Sequence, residues 1–163
     1  MEYRALQKIA KELLDLRADL WNPNGFPAVG QIHSEVLTEF CANQLDFLCV
    51  VKTKDRSAQS SKDGFTGTGG ATFGFESTAA EIVKTQFVGG VGILWNIDVI
   101  ELLEFTRVNN RLALAKMRCS WNYSIGAEEK CVEKNIAVII AYAPTINSAA
   151  EKRCKIRTRV EFG

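Results

Sequence analysis

Ile136-Ala-Val-Ile-Ile-Ala-Tyr-Ala-Pro-Thr145 is the stretch from which the rest of the chain can be ordered. Its apolar run is strand-sized, too short for a core helix, and the proline that follows cannot extend a ladder. A buried strand over Ile136 to Tyr142 is therefore expected, stopped by a turn at Ala143-Pro-Thr-Ile-Asn147. Upstream, Gly89-Gly-Val-Gly-Ile-Leu94 lies within a second apolar run, Phe87 to Trp95, where glycines mark a bend, a bulge or a close backbone approach. Val99 to Phe105 and Arg111 to Met117 read as two further strands, and Asn122 to Lys134 as a loop. Earlier still, Leu45-Asp-Phe-Leu-Cys-Val-Val51 has the look of a buried strand. A helix from Ser34 to Asn43 leads into it, with Ser34 as N-cap and Val36, Leu37 and Phe40 as its apolar stripe. A helix feeding a short apolar strand predicts an α/β layer arrangement.

At the N-terminus, Leu6, Ile9, Leu13, Leu14 and Leu16 recur at helical spacing, with Lys8, Lys11, Glu12 and Asp15 largely between them. An amphipathic helix is expected over residues 1–17. Trp21-Asn-Pro-Asn-Gly-Phe-Pro27 breaks the pattern into a turn-rich loop. Lys52 to Gly70 is rich in Lys, Asp, Ser, Thr and Gly and reads as a long polar loop, a length usually tied to function or disorder. Lys152, Arg153, Lys155, Arg157 and Arg159 make residues 151–163 a basic, solvated tail.

Hydrophobic residues form 47% of the 163 and charged residues 24%, the composition of a globular domain able to bury a core. The 20 Lys and Arg nearly balance the 19 Asp and Glu, which argues against binding driven by overall charge. The first ten residues lack the apolar core of a secretory signal, and no apolar run reaches membrane-spanning length. The five cysteines are odd in number and carry no Cys-x-x-Cys spacing, so free thiols in a reducing intracellular compartment, cytoplasmic or nuclear, are expected.

Gly67-Thr-Gly-Gly70 and Gly89-Gly-Val-Gly92 lack the Gly-Lys-Ser/Thr of a Walker loop. The second also sits inside a strand rather than between a strand and a helix, which a dinucleotide fingerprint requires. His33 is the only histidine and has no Ser and Asp context for a triad, so it reads as a helix-start residue.

Taken in order, Leu20-Trp-Asn22, Val51-Lys-Thr-Lys54, Gly89-Gly-Val-Gly-Ile-Leu94, Val108-Asn-Asn-Arg-Leu112 and Ala141-Tyr-Ala-Pro-Thr145 form a pattern. That pattern resembles the first half of the endonuclease/exonuclease/phosphatase superfamily, in particular the apurinic-like endonuclease domains of non-LTR retrotransposons and proteins derived from them. The resemblance runs over residues 18–150. It implies a partial two-sheet α/β sandwich and an ancestral Mg²⁺-dependent cleavage of DNA phosphodiesters. By the same resemblance, Asn22 matches the asparagine that orders the metal side and Tyr142 the tyrosine that reaches the scissile phosphate. Arg111 matches the phosphate-side arginine, whose neighbouring aspartate is Asn110 here.

Two departures from the family pattern imply impaired catalysis. Lys52 occupies the position of the metal-binding glutamate, and an ammonium supplies no oxygen ligand and repels a cation. The later Gly-Asp-Phe-Asn and Asp-His motifs have no counterpart here. A truncated or degenerate domain is thus implied, with no metal well bound and DNA bound weakly or not at all. Half a sandwich would leave a sheet face or edge uncovered, which predicts self-association. The alternative is an unrelated small α/β domain acting as a non-catalytic interaction module.

Overall fold

Each five-residue window of the two most apolar strands, Phe47–Val51 and Val91–Trp95, is buried at every position. Burial on both faces needs a layer on either side, and a computed structural model of the chain supplies both. It describes residues 16–23, 32–66, 72–125, 127–143 and 160–162. In chain order these are β1 (Ala18–Trp21), α1 (Ile32–Ala42), β2 (Phe47–Val51), β3 (Ser60–Thr66), β4 (Thr72–Ser77), β5 (Glu81–Val83) and β6 (Gln86–Val88). They continue with β7 (Val91–Asn96), β8 (Ile100–Asn109), β9 (Leu112–Ile125), β10 (Glu128–Ala141) and β11 (Val160–Phe162). One sheet has the order β1-β2-β7-β4-β3 and a second β11-β10-β9-β8, while β5 and β6 form a separate hairpin. Among the described strands only β1 and β2 run parallel.

The two large sheets pack face to face. Phe47, Cys49 and Val51 of β2 and Ile93 and Trp95 of β7 meet Ala113, Ala115, Met117 and Cys119 of β9 and Ile136, Val138 and Ile140 of β10. The strict alternation on β9 and β10, with Lys116, Ser120 and Ile139 facing out, is the period-two signature of a half-buried sheet. The opposite face of the first sheet is closed by α1, whose Val36, Leu37 and Phe40 pack on Leu48, Val50, Phe73 and Leu94. Phe40 meets Phe73 edge to face, with centroids 5.2 Å apart.

The expectation of an α/β fold, and with it of an α/β sandwich of the endonuclease/exonuclease/phosphatase type, is corrected. Among the described residues there are eleven strands and a single helix, so the class is β. Two segments assigned to loops are strands whose polarity hid them. Ser60–Thr66 is the edge strand β3, and polar residues suit a sheet edge. Residues 122–125 and 128–134 belong to a ribbon in which β9 and β10 pair from Leu112↔Ala141 to Ile125↔Glu128. Since β8 reaches only as far as Cys119, no third strand among the described residues flanks the outer part of that ribbon. On its β10 side the sequence, Glu128-Glu-Lys-Cys-Val-Glu-Lys134, carries little apolar alternation.

Smaller differences follow the same logic. The run Phe87 to Trp95 is divided into β6 and β7 by Gly89 and Gly90, both with positive φ. Ser34 falls within α1 rather than at its cap, since the helix begins at Ile32. Leu16 and Arg17 enter β1 without helical structure, while the remainder of the expected N-terminal helix lies outside the described residues. Of the segment expected as a solvated tail, Val160–Phe162 pairs antiparallel with Ile136–Val138 of β10, and the other residues lie outside the description. Among the described residues no helix is long and apolar enough to cross a membrane.

Candidate phosphate site at one end of the sandwich

Because β1 and β2 are parallel, both finish at the same end of the first sheet, where the antiparallel β7 begins. The segment Lys52-Thr53-Lys54 leaves β2 there in an unusual backbone. Lys52 and Lys54 have φ of 57° and 56°, the left-handed region that side-chain-bearing residues avoid. Thr53 between them is fully buried. Its N–H donates to the Gly90 carbonyl at 3.2 Å, and the Lys54 N–H donates to that of Gly89 at 3.0 Å.

The diglycine joins the two sheets at this end. The Gly90 N–H donates to the Asn110 carbonyl at 2.6 Å, in the turn between β8 and β9. Gly90 has φ of 85°, and a Cβ there would fall 2.0 Å from Thr53 Oγ1. Glycine is thus required both by conformation and by space. In the facing turn, Asn109 Oδ1 accepts the Arg111 N–H at 2.8 Å, and Asn110 Nδ2 donates to Val88 O at 3.2 Å. The Tyr142 N–H, just past β10, donates to the Arg111 carbonyl at 2.8 Å. Lys52 Nζ sits 5.2 Å from the centroid of the Tyr142 ring, a cation–π distance. Contacts therefore run in a closed circuit from Lys52-Thr53 through Gly90, Asn110-Arg111 and Tyr142 back to Lys52.

Next to this circuit is an open depression of about 540 Å³, lined by Glu81, Asn109, Asn110, Arg111, Leu112 and Tyr142 among others. Thr53 Oγ1 and Arg111 Nε are buried without a hydrogen-bond partner among the described residues. Glu81 tempers the positive charge, its Oε2 lying 3.4 Å from Asn110 Nδ2. Burial holds the half-buried Asp55 carboxyl, three residues beyond Lys52, above its ordinary pKa.

Of the residues expected from sequence, the fold brings Lys52, Asn110, Arg111 and Tyr142 together. Asn22 follows Trp21, which pairs with Val50, so it lies at the same end of the sheet but does not line the depression. His33 is in the first turn of α1. The sequence reading passed over Thr53 and Glu81. The close backbone approach it offered for the glycines of the Phe87 to Trp95 run is found at Gly90, against Thr53 and Asn110.

The magnesium site implied by the resemblance does not fit these residues. The position of its glutamate carries Lys52, held against Tyr142. Among the described residues no three His, Cys, Asp or Glu side chains gather where they could hold a metal ion. No family model, curated protein or solved structure matches the chain.

Proposed function

We propose that this end of the sandwich binds a phosphate ester without hydrolysing it, as the binding remnant of a phosphodiesterase site. The observation that carries the reading is the gathering of Lys52, through its ring contact, and Arg111, through its backbone and the shared depression, at Tyr142, with Arg111 Nε buried and without a hydrogen-bond partner among the described residues. A guanidinium presents a planar fork of donors that matches phosphate oxygens, and an ammonium adds a point charge. Hydrolysis is not part of the reading, because Lys52 disfavours a divalent cation where the resembled family holds one. The left-handed backbone at Lys52 and Lys54 supports it further: strain of this kind gathers at ligand clamps.

The test is titration of the intact chain with inorganic phosphate and with a short DNA duplex, alongside a plasmid-nicking assay in Mg²⁺. Arg111→Ala and Lys52→Glu should each weaken phosphate binding about tenfold or more, the scale of a lost charge-assisted contact. Arg111→Lys should recover part of the loss, and nicking should stay at background. Undiminished phosphate binding by Arg111→Ala, or efficient nicking by the unmodified chain, would overturn the proposal.

A further inference from the structure

Opposite charges line the depression beside Tyr142 without neutralising each other. Arg111 and Glu81 both stand in its wall. Among the described residues the Arg111 guanidinium makes no ion pair, and its buried Nε has no hydrogen-bond partner. Glu81 forms no ion pair among them either, and it meets only Asn110, through one carboxylate oxygen at 3.4 Å. That distance is long for a hydrogen bond, so the carboxylate keeps most of its capacity to accept.

The backbone fixes where the two charges start from. Glu81 is held on β5 by its pairing with Val88, and Arg111 belongs to the turn between β8 and β9. Asn110 is tied to both sides, with Nδ2 donating to Val88 O and its carbonyl accepting the Gly90 N–H. Leu112 and Ala141, paired across β9 and β10, add apolar surface to the same depression. Its volume of about 540 Å³ falls within the ~300–1,000 Å³ of small-molecule sites. A wall with one cation and one anion is complementary to a ligand carrying both charges in reverse. A ligand of a single sign meets one attraction and one repulsion there.

We propose that the ligand is the phosphate ester of a primary amino alcohol, a step that deepens and rests on the phosphate-ester reading above. Its phosphate lies on Arg111 and Lys52, its ammonium on Glu81, and its short carbon linker against Leu112 and Ala141. The ammonium is one with hydrogens to donate, because a carboxylate accepts them directly. Quaternary ammonium groups are recognised instead by open aromatic faces, and the Tyr142 ring is already taken by Lys52.

The test is calorimetric titration of the intact chain with inorganic phosphate, glycerol phosphate, O-phosphorylethanolamine and phosphorylcholine. O-phosphorylethanolamine should bind about tenfold more tightly than glycerol phosphate, the scale of one charge-assisted contact, and more tightly than phosphorylcholine. Glu81→Gln, at an exposed position of β5, should erase that preference and tighten inorganic phosphate, since the carboxylate no longer repels it. Glu81→Lys should invert the preference. Vesicles containing phosphatidylethanolamine, set against vesicles of phosphatidylcholine alone, separate the two sources of such an ester. Retention on the first alone assigns the site to a lipid headgroup, and binding of the soluble ester without retention assigns it to a free one; each supports the inference. Equal affinity for O-phosphorylethanolamine and glycerol phosphate, or a preference that survives Glu81→Gln, would overturn it and leave the phosphate site standing. Failure to bind inorganic phosphate and every ester would overturn the phosphate-ester reading itself.

Discussion

Cys49 and Cys119 face the space between the two sheets, and burial governs their chemistry. It pushes the Cys49 thiol up to about 12 and that of Cys119 to about 11, the latter with help from the Asp46 carboxylate. Cys41 on α1 and Cys131 on the outer ribbon are exposed. The thiolate is the reactive form, so a raised pKa and a closed position act in the same direction. Under native conditions an alkylating reagent should modify Cys41 and Cys131 readily and spare Cys49 and Cys119 until the chain unfolds. Raising the pH from 7 to 9 should leave Cys49 and Cys119 protected, because both thiols stay protonated through that range. Peptide mapping by mass spectrometry reads the four sites separately; ready native modification of Cys49 would contradict its place between the sheets. At this scale much of the candidate site was legible. Asn110, Arg111 and Tyr142 were named from sequence, and Lys52 was singled out because its charge is wrong for a metal. Thr53 was not legible, since nothing about a threonine between two lysines announces that its hydroxyl will be buried. The left-handed backbone of those lysines was equally hidden, because lysine has no preference for it.

The end of α1 illustrates how an element can be legible while its detail is not. The stripe Val36, Leu37 and Phe40 located the helix, and its burial on β2, β4 and β7 agrees with that periodicity. Its C-terminus closes with the Leu45 N–H on Phe40 O at 3.1 Å and the Gln44 N–H on Cys41 O at 3.0 Å. Gln44 takes φ of 51° in a position usually given to glycine. Gln44→Gly should therefore stabilise the chain by about 0.5–1 kcal/mol, less the exposed hydrogen bond from Arg17 to the Gln44 side chain. Chemical denaturation monitored by tryptophan fluorescence checks this, and a loss of stability would show that the Arg17 contact outweighs the backbone strain. Among the strands, β2, β7 and the inner half of β10 stood out because they are apolar over their whole length or alternate cleanly. The edge strand β3 and the outer part of β10 did not, since Ser60-Ser-Lys-Asp-Gly64 and Glu128-Glu-Lys130 hold no apolar residue to set a period. That blind spot, rather than any misread helix among the described residues, made the chain look α/β when it is β.

Across the whole molecule, the two sheets are held by apolar contact, by the Gly90–Asn110 link at one end and by a charged tie whose loss should be felt throughout. Arg107 reaches from β8 across to the first sheet, donating from Nε to Ser77 O at 2.9 Å and from Nη2 to Gln59 O at 3.3 Å, and pairing with the carboxylate of Glu76. Glu76 is fully buried and also accepts from Ser60 Oγ at 2.5 Å, whereas the Arg107 side chain is 40% exposed. The two partners are therefore not equivalent. Removing the arginine leaves a buried carboxylate with its main counter-charge gone; removing the glutamate leaves a cation that water can still reach. Arg107→Ala should cost about 3 kcal/mol, and more than Glu76→Gln, which keeps the shape and the Ser60 contact. For a chain of this length that is a fall in Tm of roughly 6–12 °C. Lys116→Ala is the control, because it breaks the 2.6 Å Lys116–Glu104 pair on the outer face, where both side chains are half exposed. An exposed pair of that kind should be worth under about 1 kcal/mol. Replacing Arg107 and Glu76 together by Met and Leu should cost less than Arg107→Met alone, since the second substitution removes the stranded charge. If the Arg107 and Lys116 variants melt together, the tie is an ordinary surface pair and contributes nothing special to the sandwich.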